Sequence, residues 1–295
     1  MGKINKAVIP VAGMGTRLLP ATKSIPKEML PVIDKPAIQY VVEEAVASGL
    51  EHVLMVTGRN KAVIENHFDR AVELESSLLE KGDIQRLKSV ESATNLADIH
   101  YVRQGDPLGL GHAVMMAETF VGNEKFAVLL GDDLIGSREK LLLEMKKVSL
   151  LHNANVVALM QMPAHELNKF GVARIGKSIS QNVFDIDGFV EKPALGEEPS
   201  NYAIIGRYVL MPGIFKVLKE TEASSGGEIQ LTDALNHMAL NPSVAGPVIG
   251  FVFTGQRYDI GNRLDYLKTI VRMAVDREDV QDEFTTWLKS ITSTS

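Results

Sequence analysis

The chain has 295 residues, of which 45% are apolar and 23% charged, with a net charge of −6; this composition suits a globular protein with a large core and provides no overall basic field for DNA or RNA. It has no cysteine, which removes disulfides, thiol nucleophiles and Cys-based zinc sites, and its seven histidines contain no H-E-x-x-H pair, so a metal must sit on oxygen ligands. No apolar run approaches the roughly 18 residues of a membrane span, and the N-terminal stretch is too short for a signal peptide and broken by Pro10, so a cytoplasmic enzyme or binding protein is expected, with neither nucleic acid nor membrane as partner.

Short apolar runs at 4–11, 52–56, 99–102 and 126–130 are each followed by a segment of helical period, the alternation of a parallel α/β sheet. Residues 36–49 place Ala37, Ile38, Val41, Val42, Ala45 and Val46 on one face, open on proline and stop on glycine; they read as a helix. Residues 60–95 are charged and helical in pattern, a surface excursion. Beyond Asn155, the runs VVALMQM, FGVARI, VFDIDGFVEKP and YAIIGRYVLM read as strands and IQLTDALNHMAL as a helix, which makes the second half mixed α/β. Residues 262–291 are helical again, with Leu264, Leu267, Ile270, Val271 and Ala274 on one stripe and then Val280, Phe284, Trp287 and Leu288; these helices either cap the sheet or form a subunit contact. One main domain with a smaller appendage is expected.

In open α/β sheets, phosphates bind at the turn after the first strand. VAGMGTR lies there: Gly13 and Gly15 admit backbone N–H groups to phosphate oxygens, and Arg17 adds a bidentate guanidinium, although the same residues also suit a plain tight turn. Leu18 replaces the third glycine of the dinucleotide fingerprint and the Walker lysine is missing, which disfavours NAD and ATPase chemistry. Lys23 and Lys27 follow on a loop stiffened by Pro20, Pro26 and Pro31. In RQGDPLGLGHAV, Gln104 suits an amide reading a base edge, while a glycine-rich turn explains the spacing equally well. LLGDDLI ends a buried strand in Asp132 and Asp133, carboxylates that are costly there unless paired or metal-bound, with Mg²⁺ the favoured partner. In GFVEKP, Glu191 and Lys192 read by themselves as a solvated turn, and Asp259 of YDIG stands at a helix entrance where capping is a sufficient explanation.

Taken in order, GMGTRLLPATKSIPKEMLPVIDKP, QGDPLGLGHAV, LGDD, FGVA, GFVEKP and YDIG strongly resemble the bacterial UTP–glucose-1-phosphate uridylyltransferases, or UDP-glucose pyrophosphorylases, of the sugar nucleotidylyltransferase family, over nearly the whole chain. The resemblance implies a Rossmann-like nucleotidyltransferase fold, a mixed and mostly parallel sheet flanked by helices. It implies one domain over 1–295, with 1–150 mainly nucleotide-binding, 151–261 mainly the smaller sugar-phosphate half and 262–295 the C-terminal helices. UTP and glucose 1-phosphate are the implied substrates, Mg²⁺ the cofactor and a homo-oligomer, dimer or tetramer, the assembly. Residue by residue, it puts Ala12, Gly13, Gln104 and Gly109 around uracil and ribose, with Gly15 and Glu28 also at the nucleotide, and Arg17 and Lys27 facing the triphosphate. Asp132 matches the acid that holds Mg²⁺; Gly171, Glu191 and Lys192 match contacts to glucose 1-phosphate; Asp259 matches a second metal-side acid of the related thymidylyltransferases. Asp133 has no dependable counterpart and is read as support behind Asp132.

The implied reaction is in-line attack of a glucose 1-phosphate oxygen on the α-phosphorus of UTP. It needs no protein nucleophile, and no general base either, because a phosphate monoester with a second pKa of about 6 is mostly dianionic at neutral pH. The obstacle is repulsion, roughly 4 kcal/mol for each pair of unit charges about 4 Å apart at an effective dielectric of about 20. Arg17, Lys27, Lys192 and the metal at Asp132 are the groups expected to offset it. A thymidylyltransferase, a metal-dependent glycosyltransferase and a non-catalytic sensor of the same fold are the rival readings. A glycosyltransferase has no need of the Arg17 and Lys27 loop, and a sensor would have lost one of the four charged groups.

Overall fold

The computed structural model describes residues 3–292. Its strands in chain order are β1 (Lys6–Pro10), β2 (Pro31–Val32), β3 (Lys35–Pro36), β4 (His52–Thr57), β5 (Asp98–Arg103), β6 (Phe126–Leu129), β7 (Asp133–Ile135), β8 (Asn155–Gln161), β9 (Gly171–Ser180), β10 (Val183–Glu191), β11 (Tyr202–Leu210), β12 (Val248–Val252) and β13 (Arg257–Asp259). Nine of them form one sheet in the order β5-β4-β1-β6-β11-β8-β12-β10-β9, while β2 pairs with β3 and β7 with β13 in two small ribbons.

The apolar runs of the first half are the parallel strands β5, β4, β1 and β6. β4, β1 and β6 are largely buried on both faces, which is why their runs are continuous, whereas the edge strand β5 leaves Asp98, His100, Tyr101 and Arg103 exposed. Along β1, Ala7 and Ile9 pack on the side of the helix Ala37–Ala47, and Val8 packs on the opposite side with Val114, Phe215 and Leu218. The helix Ala37–Ala47 follows Pro36, and past its end Gly49 takes a φ of 72° while the Leu50 N–H donates to the Ala45 carbonyl, the left-handed stop that glycine allows. Residues 60–95 form three helices, Ala62–Phe68, Val72–Glu80 and Ile84–Thr94, with Val72, Leu74 and Leu79 exposed, as a surface excursion should be.

The sheet turns mixed where β11 enters antiparallel between β6 and β8. The expected elements do not include β12, a five-residue run that becomes a strand by pairing with β8 on one side and β10 on the other. The helix Arg263–Asp276 packs on β13 and turns Tyr266, Met273 and Ala274 inward, while Leu264, Leu267 and Val271 stay exposed. The expected stripe is therefore split between the core and the surface. Among the described residues no helix is long and apolar enough to cross a membrane. Because β1, β5 and β6 are parallel, the loops that leave them open at the same edge of the sheet, where open α/β folds gather their ligands.

Candidate active site

The loop after β1 begins by extending the β1–β4 ladder, with the Val11 N–H donating to Val56 O at 2.9 Å, and then folds into three short turns. Gly15 is left-handed, with a φ of 67°, and the Thr22 hydroxyl donates to its carbonyl at 2.7 Å. Ala12 backs on Gly58, whose missing Cβ would lie 3.1 Å from the Ala12 carbonyl. Gly13 and Arg17 are exposed at the rim, and Lys27 reaches inward to pair with Asp132. Glu28 is only 1% exposed and lies beneath the loop, where Lys61 donates to it at 2.9 Å and to Gly13 O at 2.8 Å. Burial pushes the Glu28 carboxyl up from its ordinary range, and Lys61 and Lys27 oppose that shift. Lys61 is absent from the sequence expectations, although its place just beyond the carboxyl end of β4 was a usable signal.

Gln104 extends the β4–β5 ladder through its N–H to Thr57 O at 2.8 Å, and its Nε2 donates to Gly109 O at 3.1 Å and lies 3.0 Å from His112 Nδ1. Gly109 has a φ of 96°, and a Cβ there would lie 2.8 Å from the Ile229 carbonyl. The backbone of Ile229 crosses this turn and exchanges hydrogen bonds with Leu108 and Gly111, so close approach of a second chain segment accounts for the glycines.

The turn after β6 carries two adjacent acids, each paired with a cation. Burial penalises the Asp132 carboxylate, but the Lys27 ammonium beside it holds its pKa below the usual range; the same pairing, with Glu28 and Asp259, holds Lys27 above an ordinary lysine despite burial. Asp133 is buried: its Oδ2 accepts from Gly206 N at 2.7 Å, and its Oδ1 lies 2.8 Å from Arg257 Nε, an ion contact off the hydrogen-bond axis. Asp259 faces Asp133 across the β7–β13 ribbon. Asp259 is not the helix cap that the sequence allowed. The cap of Arg263–Asp276 is Asn262, which accepts from Asp265 N at 3.1 Å, while Asp259 Oδ1 accepts from Gly261 N at 2.7 Å. Burial raises the Asp259 pKa, and repulsion from Asp133 and Asp132 adds to this, against the pull of Arg257 and the Gly261 N–H.

Asp133 is thus committed to Gly206 and Arg257, which leaves Asp132 and Asp259 as oxygen donors. They front the same patch of bare backbone: a Cβ on Gly261 would lie 2.9 Å from Asp259 Oδ1 and 3.5 Å from Asp132 Oδ2. Among the described residues no cluster of three or more His, Asp or Glu side chains is disposed to hold a metal. Two carboxylates that front one glycine are an oxygen donor set of the kind Mg²⁺ takes, since it usually binds through one or two protein carboxylates.

At a second rim, Gly171 opens β9 directly opposite Glu191, the last residue of β10. Lys192 follows with a φ of 45°; its N–H donates to Phe170 O at 3.0 Å and its Nζ lies 3.1 Å from Glu191 Oε1. Phe170 puts its ring 5.4 Å from the Arg257 guanidinium carbon and so ties this rim to the acidic turn. Arg17, Phe170, Arg257 and Asp259 share the wall of a cavity of about 300 Å³. Arg257 was also missed, yet it stands two residues before Asp259 on a strand, a spacing that puts both side chains on one face.

A sequence profile of the Nucleotidyl transferase family matches residues 6–274. The chain is 45% identical over 289 residues to UTP–glucose-1-phosphate uridylyltransferase 1 of Staphylococcus saprophyticus, covering 98% of this chain and 99% of that protein. A UTP-bound UGPase from Acinetobacter baumannii superposes with a TM-score of 0.89 at 39% identity, covering 97% of this chain and 99% of that one. A UDP-glucose pyrophosphorylase complexed with UDP-glucose does so with a TM-score of 0.83 at 40% identity, covering 93% and 100%. With the glycine loop, the paired acids and the Glu191–Lys192 rim on one edge of the sheet, the chain belongs to the nucleotidyl transferase family, in its branch of UTP–glucose-1-phosphate uridylyltransferases.

Proposed function

We propose that the chain forms UDP-glucose and pyrophosphate from UTP and glucose 1-phosphate, with Mg²⁺ held between Asp132 and Asp259. The observation that carries this reading is the gathering of Arg17, Lys27, Asp132 and Asp259 around one edge, with Lys192 tied to it through Phe170. The reaction is a meeting of two polyanions, so the chain's task is alignment and charge compensation rather than covalent chemistry. Arg17 and Lys27 orient the triphosphate, Lys192 meets the sugar phosphate, and Glu191 and the Gly171 backbone receive the sugar. Mg²⁺, when bound, supplies positive charge to the phosphate oxygens. Glu28 and Lys61 keep the glycine loop seated from below.

A cytoplasmic setting belongs to the same proposal, because both substrates are charged metabolites that do not cross membranes unaided. So does a homo-oligomer, dimer or tetramer, for which the exposed Leu264, Leu267 and Val271 are the candidate surface. The test is pyrophosphate release measured over four nucleotides and several sugar 1-phosphates, with and without Mg²⁺. Release that needs UTP, glucose 1-phosphate and Mg²⁺ together is expected; release that ignores the sugar phosphate overturns the reading. A monomeric mass by light scattering at micromolar concentration would remove the oligomer.

A further inference from the structure

Arg207 lies in β11 at 0% exposure and does not line the cavity. On one side its guanidinium forks onto the Glu44 carboxylate of the helix Ala37–Ala47, with Nε donating at 3.0 Å and Nη2 at 2.6 Å. The remaining donors go to backbone carbonyls: Nη1 to Gly206 O at 2.9 Å and Leu130 O at 3.3 Å, and Nη2 to Asp133 O at 2.7 Å. Leu130 and Asp133 stand on either side of Gly131 and Asp132. One side chain therefore clasps both ends of the turn that presents the Asp132 carboxylate.

The strand keeps its pairing with β6 at this point, with Arg207 opposite Leu129, but its register against β8 is uneven. The register of β11 against β8 breaks between Ile204 and Tyr208. At the break, Gly206 approaches the turn so closely that a Cβ would lie 2.8 Å from Leu130 Cβ and 2.9 Å from Asp133 Oδ2. Burial opposes the charge on Arg207, but Glu44 and Asp133 hold its pKa above that of an ordinary arginine. A buried ion pair seldom stabilises a fold more than apolar packing of the same volume, so stability alone does not call for an arginine here. What a carboxylate-anchored fork does, and an apolar side chain does not, is fix several carbonyl oxygens at set positions.

We propose that Arg207, held by Glu44, is a positioning residue that fixes the 130–133 turn so that Asp132 meets Lys27 and the nucleotide oxygens in one geometry. The inference rests on the reading of this edge as the nucleotidyl transfer centre. It touches no substrate, so its effect has to show on alignment rather than on sugar affinity.

Three variants test it: Arg207→Lys keeps the charge without the fork, Arg207→Met keeps most of the volume, and Glu44→Gln keeps an acceptor without the anchoring charge. Each is assayed for thermal unfolding, for kcat and both KM values, and for UTP affinity by calorimetry with and without Mg²⁺. A misplaced Asp132 should lower kcat about 10- to 100-fold in Arg207→Lys, with the KM for glucose 1-phosphate unchanged within about twofold. The gain in UTP affinity on adding Mg²⁺ should shrink in parallel, and Glu44→Gln should fall between wild type and Arg207→Lys. A folded Arg207→Lys or Arg207→Met with wild-type kcat and the wild-type Mg²⁺ effect on UTP binding overturns the proposal, as does an equal loss on both KM values alone. If both Arg207 variants fail to fold, Glu44→Gln decides, and an unchanged kcat in it counts against the proposal. Lack of turnover in the wild type would instead remove the underlying reading, a separate outcome.

Discussion

Lys61 and Glu28 form a buried ion pair beneath the glycine loop, with 2.9 Å between Nζ and Oε2, and the same ammonium holds the Gly13 carbonyl from below. The pair is the seat on which the glycine loop rests. Removing one partner strands a charge, so Lys61→Ala should cost about 3–5 kcal/mol of folding stability. Replacing both together, as Lys61→Met with Glu28→Leu, should recover much of that while still raising the KM for UTP. Urea unfolding and steady-state kinetics on the single and double variants measure this; a double variant no more stable than the single one contradicts it.

The two exposed-side cations should divide by substrate. Lys192→Ala is expected to damage use of glucose 1-phosphate, because its ammonium stands on the Gly171–Glu191 rim, and Arg17→Ala to damage use of UTP. Kinetics with each substrate varied in turn report the split, and equal defects on both substrates in both variants would refute it.

Asp259 and Asn262 give a contrast that the sequence blurs. Since Asn262 is the cap, Asn262→Ala should cost about 0.5–2 kcal/mol in stability and leave the Mg²⁺ requirement alone. Asp259→Asn should raise the Mg²⁺ concentration needed for half-maximal turnover with little change in unfolding temperature, and Asp132→Asn should lose most turnover at any Mg²⁺ level. Turnover against Mg²⁺ for all three, beside thermal unfolding, checks this; near-normal turnover in Asp132→Asn defeats the ligand assignment.

His67 supplies a pH signature. It is half-buried, with its Nε2 3.0 Å from Gln39 Oε1, and burial holds its pKa below the ordinary 6.5. The unfolded chain then takes up the proton first as pH falls, so its contribution is complete above about pH 6.5 and is lost as pH drops toward the folded-state value. Urea unfolding at pH 7.5 and 5.5 should show a smaller loss in His67→Gln than in the wild type. An equal or larger loss in the variant would assign the acid sensitivity elsewhere.

The parallel half of the sheet was legible because periodicity is local, and Asp132 because a carboxylate closing a buried strand needs an explanation. The supports were not, because their meaning lies in distant pairing: Lys61 and Glu28 are 33 residues apart, and Arg207 and Glu44 are 163 apart. β12 escaped for the same reason, being five apolar residues without caps that only neighbouring strands turn into a strand. The local role of Asp259 was ambiguous in the sequence, since any acid just before a helix looks like a cap until Asn262 is seen to hold the position.

β11 pairs with β6 on one side and with β8 and β9 on the other within a single run of nine residues. The glycine-loop edge and the Gly171–Glu191 rim are therefore joined through the backbone of one strand. The tie between the two edges is main chain, so a side-chain substitution at either rim leaves it in place.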